Sequence, residues 1–518
     1  MKAKDRWTAA AFAALCLAAA GCGTQSGSEE RQEEKEDIVL TVLVQRAESN
    51  AAGTWEGEAA EKLYEDTGIR VEFYSNGSGD EKNLKQYLAA GTLPDLVGFR
   101  DLESAELLLG ADVLLPLDEY EEELPGIFEN GQYDTAVKYY REVWGGEEEH
   151  LYFIAASVGE RGEDEYYWMP MLQWNAYQKA GTPEISTLED YLDAAEQMQE
   201  QKPTTPLGER VYGFSLCGSW EEKNMQQPAS LSFLYGIDTG LVSPLMEISA
   251  EDGKIRAVTE DDSFYRRALL FYYEANQRGL LDPDSRTQTA ENLKRKYAKG
   301  QILFSNFSWL TGDYAGDDEE AADGYTAVPA ADMQIYKEAD ALVGCGWYYG
   351  INKNSDSPEA VCELLSWLYE PENVSLLYSG NSDPVFSMPA LTRASLGESP
   401  KSSGTENRIL EQEILDWRGM SLTESLNQNG QIQEGNAAVH MMDGLPDALQ
   451  KKSDALQELI TELSWDMIYA ESQEAFESLW KQMTQESEAM GIKELKNYYE
   501  QSWKTAVERE ISYGTSEK

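Results

Sequence analysis

The chain has 518 residues, 42% of them hydrophobic, and a formal net charge of −52 at pH 7. This length exceeds what one hydrophobic core usually serves, so we expect two or more lobes. The negative charge repels phosphate backbones and anionic lipid headgroups. It therefore argues against nucleic acid as a partner and limits membrane contact to an anchor.

The first 21 residues have the composition of a bacterial lipoprotein signal peptide. Three basic side chains within the first six residues precede an apolar run at 7–20, which is too short to span a membrane. Small residues lead to Cys22, which such a signal leaves as the acylated N-terminus, although Ala19 stands where leucine is more usual. An ordinary secretory signal with an incidental cysteine is the alternative. We predict a protein lipid-anchored to the extracellular face of a bacterial cell membrane, with 22–37 as a disordered polar tether.

Residues 38–101 are predicted to alternate strand, helix, strand, helix and strand. The strands are apolar or alternating runs at 38–44, 69–73 and 95–99, and a glycine follows the apolar stripe of each helix between them. Strands that alternate with helices form a parallel sheet with right-handed crossovers. Ligands of such sheets bind beyond the carboxyl ends of the strands. The loops at those ends are 45–54, 75–79 and 100–102.

Farther along the chain, predicted strands are followed by aromatic residues. Val211–Leu216 precedes Trp220, and Ile302–Phe304 precedes Trp309. Residues 166–170 are themselves aromatic and extended. Aromatic rings at strand ends are placed to contact a ligand, or else they pack in the core.

Short motifs recur in a specific order and spacing through most of 38–507, with a less clear match at 381–444. They are Tyr64–Val71, Leu88–Asp95, Leu114–Asp118, Gly279–Ser285, Lys296–Gly300, Trp347–Ile351, Pro358–Ala360, Leu463–Tyr469 and Trp480–Trp503. In this order the motifs resemble the extracellular solute-binding lipoproteins of carbohydrate-type ABC importers. The resemblance is to the bacterial extracellular solute-binding protein family 1, in its maltodextrin-binding-protein-like group.

The resemblance implies an α/β, two-lobed, periplasmic-binding-protein-like fold of type II. Each lobe would be a mainly parallel sheet flanked by helices, with additional C-terminal helices. Residues 38–165 plus 301–342 would form the N-terminal lobe, and 166–300 plus 343–518 the C-terminal lobe. The resemblance further implies a monomer without catalysis that captures a carbohydrate between its lobes and delivers it to the permease subunits of an ABC transporter.

A sugar presents C–H faces and paired hydroxyls, which aromatic platforms and planar polar side chains can bind. Matched to the family pattern, Trp309 and Trp347 are the first candidates for stacking. Trp174, Trp220 and Tyr348 come next, and any of these rings could be a core aromatic instead. The polar candidates are Arg46, Asn76, Arg100, Asp101, Asn306 and Asp383. Arg100 and Asp101 could equally form a surface ion pair that contributes little to stability.

No metal, cofactor or catalytic site is predicted. Cysteines 217, 345 and 362, which remain beyond the signal and the lipidated residue, have no metal-ligand spacing. The only histidines, His150 and His440, have no suggestive neighbours. The acidic run at 313–323 lacks the spacing of a calcium loop, and no Gly-x-Ser-x-Gly or Walker A motif occurs.

Two other functions fit parts of the pattern. A secreted glycoside hydrolase would need two carboxylates across one cleft, and among 94 Asp and Glu residues a suitable pair can always be found. The same fold could instead bind a peptide or another polar solute. That version is favoured over the sugar if Trp309 and Trp347 lie away from the cleft between the lobes.

Overall fold

The computed structural model describes residues 38–44, 53–74, 80–99, 102–129, 131, 133–155, 158–159, 167–220, 225–311, 324–344, 348–370, 373, 376 and 422–513. The predicted signal peptide, Cys22 and the tether lie outside these residues. None of the helices in the described ranges combines the length and apolar character needed to cross a membrane.

The strands are β1 Ile38–Val44, β2 Gly53–Thr54, β3 Ile69–Tyr74, β4 Leu96–Phe99, β5 Phe153–Ala155, β6 Trp168–Gln173, β7 Ile237–Asp238, β8 Met246–Ser249, β9 Ile255–Ala257, β10 Phe304–Phe307, β11 Tyr325–Ala327, β12 Ile335–Lys337, β13 Tyr348–Ile351 and β14 Ile432–Glu434. The helices are α1 Glu58–Thr67, α2 Asp80–Ala90, α3 Leu102–Gly110, α4 Pro125–Phe128, α5 Asp134–Trp144, α6 Trp174–Lys179, α7 Asp190–Gln201, α8 Gln226–Ser230, α9 Phe264–Gln277, α10 Ala290–Ala298, α11 Pro358–Tyr369, α12 Leu422–Gln428, α13 Asp447–Ile468, α14 Gln473–Met490 and α15 Ile492–Ser512.

The first lobe contains a six-stranded sheet in the order β2-β3-β1-β4-β13-β5. β1 pairs in parallel with β3 and with β4, which confirms the parallel sheet predicted for 38–101. Val42, Leu96 and Phe99 are fully buried, as the apolar runs predict for strands covered on both faces. Gly68 follows the last residue of α1 in a left-handed conformation, and its N–H bonds the Tyr64 carbonyl.

The second lobe has mixed sheets, not the mainly parallel sheet expected. β6 lies between β10 and β11 and is antiparallel to both. β7, β8 and β9 form an antiparallel meander, whereas β12 and β14 are parallel. The predicted strand at 211–216 contributes isolated parallel bridges to Ile302 and Leu281.

The expected division of the chain between the lobes differs from the strand pairing in two segments. β10 and β11, within 301–342, pair with β6 of the second lobe. β13, which begins at Tyr348, pairs with β4 and β5 of the first. The sequence pattern shows that a segment is a strand, but pairing partners far apart in the chain are chosen by tertiary packing.

The chain passes from the first sheet into the second lobe between β5 and β6 and returns between β12 and β13. Where these crossing segments are described, Gly159 and Ala341 exchange two backbone hydrogen bonds of 3.0 Å. Tyr140 on α5 donates its hydroxyl to the Val343 carbonyl at 2.8 Å. The crossings are therefore bonded to each other and to the first lobe.

The C-terminal helices α13, α14 and α15 pack on the second lobe, in agreement with the expected helical extension. The hydroxyls of Tyr265 on α9 and Ser464 on α13 lie 2.8 Å apart in the buried interface. Just after α15 ends, Tyr513 reaches the first lobe, where its hydroxyl donates to a carboxylate oxygen of Glu142 at 2.7 Å. The extension thus contacts both lobes.

Candidate functional site

The carboxyl ends of the first-lobe strands meet at one edge of the sheet. The strand registers bring Val44, Tyr74, Phe99 and Ala155 to this edge, where β13 begins at Tyr348. We call it the carboxyl edge. Two crossings to the second lobe leave from it, since one follows β5 and another precedes β13.

Tyr348 is the predicted site residue that the structure places at the carboxyl edge. Its ring is stacked on Phe99, with centroids 5.5 Å apart, and meets the edge of Phe153 at 5.8 Å. It is only partly buried. Arg46, Asn76, Arg100 and Asp101, the candidates expected on the first-lobe loops, lie outside the described residues. So do Trp347 and Asp383.

Four aromatic rings of the second lobe form a continuous cluster, which we call the ring cluster: Tyr167, Trp220, Phe307 and Trp309. The Trp309 ring centroid lies 5.6 Å from that of Trp220, 5.7 Å from Phe307 and 6.2 Å from Tyr167. Phe307 is buried, the two indoles are partly exposed, and half of the Tyr167 surface is exposed. The Lys294 ammonium is 5.7 Å from the Trp309 centroid. The cluster thus combines three partly or half exposed rings with a nearby cation.

The position of the ring cluster follows from the chain path. Tyr167 is the residue at which the crossing from the carboxyl edge enters the second lobe, immediately before β6. β10 is antiparallel to β6, with Phe307 opposite Trp168, so the end of β10 lies beside the start of β6. A 3-10 turn at Ser308–Thr311 then places Trp309 next to Tyr167.

A bulge between β6 and β10 shapes this end of the sheet. Ser305 pairs with Met171 and Phe307 with Trp168, so Asn306 alone faces two residues of β6. One of these is Pro170, which has no N–H to donate and is tolerated in a central strand where the ladder is interrupted. The Ser305 hydroxyl oxygen accepts the Phe307 N–H at 3.1 Å and closes the bulge.

Asn306 does not present its side chain to the cleft, in contrast to its prediction as a ligand contact. It is 2% exposed, and its amide nitrogen donates to the Ser230 hydroxyl at 2.7 Å and to the Gln227 carbonyl at 3.4 Å. At the bulge this polar residue lies in the protein interior, where its amide nitrogen is satisfied by α8.

Trp174 lies apart from the other tryptophans. It follows the last residue of β6 and contacts Tyr177 at 6.0 Å, whereas the ring cluster lies at the first residue of the same strand. Six residues of extended chain separate the two positions by about 20 Å. Trp174 and Trp309 therefore lie at opposite ends of β6.

Sequence reasoning overlooked Tyr167, Phe307 and Lys294. The sequence contains a signal for Tyr167, because the pattern at 166–170 is aromatic and extended. Phe307 lies three residues beyond the predicted end of its strand at Phe304. Lys294 is one of several cations on α10, and no local pattern distinguishes it from its neighbours.

The sheets, the crossings and the lobes define a two-lobed, periplasmic-binding-protein-like solute-binding fold. The sequence profile of the bacterial extracellular solute-binding protein family matches residues 47–375, and the chain belongs to that family. Its members are binding proteins, and the family implies an extracellular or periplasmic location. Comparison with curated protein sequences finds no match.

Solved structures of low sequence identity have the same fold. The alginate-binding protein AlgQ2 without calcium ion aligns with a TM-score of 0.63 at 12% identity, covering 90% of this chain and 98% of that one. An HMO-binding ABC-transporter-associated solute-binding protein from Bifidobacterium longum infantis gives 0.62 at 14%, covering 90% and 99%. The S. pneumoniae ABC-transporter substrate-binding protein FusA in complex with kestose gives 0.59 at 13%, covering 92% and 100%.

Proposed function

We propose that this protein captures a carbohydrate between its two lobes and delivers it to the permease subunits of an ABC importer. It acts as a monomer, without catalysis, and is held to the outer face of the membrane by acyl chains on Cys22. The observation that carries the proposal is the ring cluster, in which Trp220 and Trp309 are partly exposed and Tyr167 is half exposed.

The ring cluster suits a sugar for a chemical reason. The C–H faces of a pyranose or furanose pack on aromatic faces, and rings of different inclination can contact successive residues of an oligosaccharide. The Trp220 and Trp309 planes are inclined by 51° and the Tyr167 and Trp309 planes by 39°. The solved structures of the HMO-binding protein and of FusA in complex with kestose lend support, because they share this fold.

The crossings suit capture by closure. Two lobes that are joined by bonded crossing segments can rotate as bodies about them, and a ligand that contacts both lobes shifts the protein toward the closed form. Tyr348 at the carboxyl edge and the ring cluster lie at opposite ends of these crossings. We propose that both contact the ligand, together with the first-lobe loop residues Arg46, Asn76, Arg100, Asp101 and Trp347 and with Asp383. The proposed binding site does not include Trp174 or Asn306.

A ligand screen tests the proposal. Purified protein lacking the signal and tether is heated with a panel of neutral and acidic oligosaccharides, monosaccharides and peptides, and intrinsic tryptophan fluorescence is followed in parallel. We expect one class of oligosaccharide to raise the melting temperature and to change the fluorescence. Stabilisation by peptides alone would favour another solute, and hydrolysis products from a bound glycan would favour a glycosidase.

The anchor requires a separate experiment. Full-length protein expressed in a bacterium should partition with membranes and carry acyl groups on Cys22, as measured by detergent partitioning and mass spectrometry. Cys22→Ser should release the protein into the soluble fraction. Cleavage upstream of an unmodified cysteine would instead identify an ordinary secretory signal.

A further inference from the structure

The two tryptophans of the ring cluster come from separate parts of the chain. Trp309 follows β10, whereas Trp220 lies in a turn that begins at Cys217, where the Trp220 N–H bonds the Cys217 carbonyl at 2.9 Å. Contact between partly exposed rings does not by itself fix their inclination, because offset-stacked and edge-to-face arrangements are both favourable and such a pair contributes little beyond the area it buries. The angle of 51° between these indoles therefore needs a support behind them.

Buried hydrogen bonds link the two turns. Asn306, three residues before Trp309, donates to Ser230 and Gln227 of α8. The Gln227 side-chain oxygen in turn accepts the N–H of Cys217 at 2.5 Å, and its amide nitrogen donates to the Ser215 carbonyl at 3.3 Å. Asn306 thus reaches the turn of Trp220 through a single residue.

The support continues away from the rings. The Ser215 hydroxyl donates to Asp282 at 2.8 Å and accepts from the amide of Gln288 at 2.7 Å. Asp282 also accepts from the Lys296 ammonium at 2.6 Å. Burial lowers the pKa of Lys296, but its bonds to Asp282 and Asp284 outweigh that effect and leave the pKa raised. Satisfied polar networks of this kind rigidify the segments that they join.

We infer that Asn306 is a positioning residue, which sets the inclination of Trp309 relative to Trp220 through Ser230 and Gln227 and does not touch the ligand. The inference rests on the proposed function, because the rings matter only if they form the binding surface. It explains why an amide is buried at this position of β10, since a leucine there would fill the space but could not hydrogen-bond α8.

The test compares Asn306→Ala and Ser230→Ala with a matched control. Gln431→Ala removes a buried amide of the same lobe that bonds the Ala330 and Met333 carbonyls, away from the rings. Near-ultraviolet circular dichroism spectra are recorded for the unliganded proteins. The band that is lost in Trp309→Phe is assigned to the Trp220–Trp309 pair and is compared among the variants. Affinity for the tightest oligosaccharide of the panel is measured alongside.

We expect Asn306→Ala to diminish the band and to weaken binding by about tenfold or more, with a smaller change of the same kind in Ser230→Ala. Gln431→Ala should lower the melting temperature and leave the band and the affinity unchanged. If Asn306→Ala does not fold, Ser230→Ala decides. An unchanged band in the folded variants, or an equal change in the control, overturns the inference. Failure of the wild-type protein to bind any glycan would refute the proposed function, while the band would still test the ring geometry.

Discussion

The carboxyl edge of the first lobe and the ring cluster of the second are built in different ways. At the edge, parallel strands of one continuous βαβ stretch end side by side, and Tyr348 stacks on the ring of the strand that it pairs with. The ring cluster gathers four rings from three separate stretches of chain, tied together by buried amides and hydroxyls. The first surface is a product of backbone pairing, and the second depends on side chains.

In the first lobe, hydrogen bonds to one side chain, the carboxylate of Asp95, connect separate segments of the chain. One carboxylate oxygen of Asp95 accepts the N–H and the hydroxyl of Thr41 on β1, at 2.8 and 2.6 Å. The other oxygen accepts the Ser355 hydroxyl, just past β13, at 2.6 Å. Asp95 therefore joins β1 to β4 and to the segment after β13, which gives the Leu88–Asp95 motif a structural role.

Removal of the Asp95 carboxylate should have the largest effect on stability. We expect Asp95→Ala to lower the free energy of unfolding by about 3 kcal/mol, because three bonds to a charged acceptor are lost and their donors are left unpaired. Urea unfolding measures the change, with exposed Glu61→Ala on α1 expected to stay within about 0.5 kcal/mol. A loss below about 1 kcal/mol would mean that strand pairing alone holds β1, β4 and the segment after β13 together.

The ring cluster should dominate affinity instead of stability. Trp309→Ala should weaken oligosaccharide binding about 30-fold, or about 2 kcal/mol, because a stacked aromatic anchor is removed from the site. Trp174→Ala is the matched control, since this tryptophan lies at the opposite edge of the same sheet. Isothermal titration measures both. Equal losses in the two variants would place the binding surface elsewhere.

The difference between the regions also explains what the sequence could predict. β1, β3 and β4 were located within a residue or two because buried strands leave β-branched apolar runs and glycine marks the helix end. Because parallel strands run in the same direction, their carboxyl ends meet at one edge of the sheet. In the first lobe, local sequence patterns are therefore sufficient to locate that edge.

In the second lobe the same argument misleads. Trp174 and Trp309 both follow strands, but β6 and β10 run antiparallel, so the ends of these strands lie at opposite edges of the sheet. Asn306 was predicted among the polar ligand contacts, yet it lies buried at the bulge opposite Pro170, with its amide nitrogen bonded to Ser230. Pairing direction and bulges depend on residues more than a hundred positions apart, which no local window contains.

The second lobe also contains buried carboxyls that should make its stability depend on pH. Asp238 on β7 is 2% exposed, and one of its oxygens accepts the Leu241 N–H at 3.0 Å. Burial raises the pKa of Asp238 to about 7, with Glu338 contributing further. Because the folded pKa lies above the unfolded one, the stabilisation is complete below pH 4 and is lost as the pH rises through 7.

Asp238→Asn should remove this loss. Relative to wild type, the variant should gain on the order of 2 kcal/mol in free energy of unfolding between pH 5 and pH 8. Urea unfolding at a series of pH values measures the difference. Asp190→Asn gives a control of opposite sign: backbone bonds from Ser186 and Thr187 hold the pKa of Asp190 below its usual value, so that variant should lose stability near neutral pH. Parallel pH profiles for wild type and Asp238→Asn would contradict the prediction.

The smallest effect is expected where the two lobes meet at the end of α15. The Tyr513 hydroxyl donates to Glu142, while its ring contacts Tyr139 at 6.4 Å and the Lys138 ammonium at 4.7 Å. Tyr513→Phe keeps the ring and removes one partly exposed hydrogen bond. The free energy of unfolding should fall by about 0.5 to 1 kcal/mol, as measured in urea.

This contact should also affect ligand binding differently from the ring cluster. Because Tyr513 touches neither the ring cluster nor the carboxyl edge, Tyr513→Phe can change affinity only through the balance between arrangements of the lobes, by the same factor for every glycan. Trp309→Ala, in contrast, should discriminate among glycans. Ser512→Ala, which removes an exposed hydroxyl bonded to the Arg509 carbonyl of its own helix, serves as the control for both measurements. A glycan-dependent change in Tyr513→Phe would mean that the end of α15 reaches the ligand.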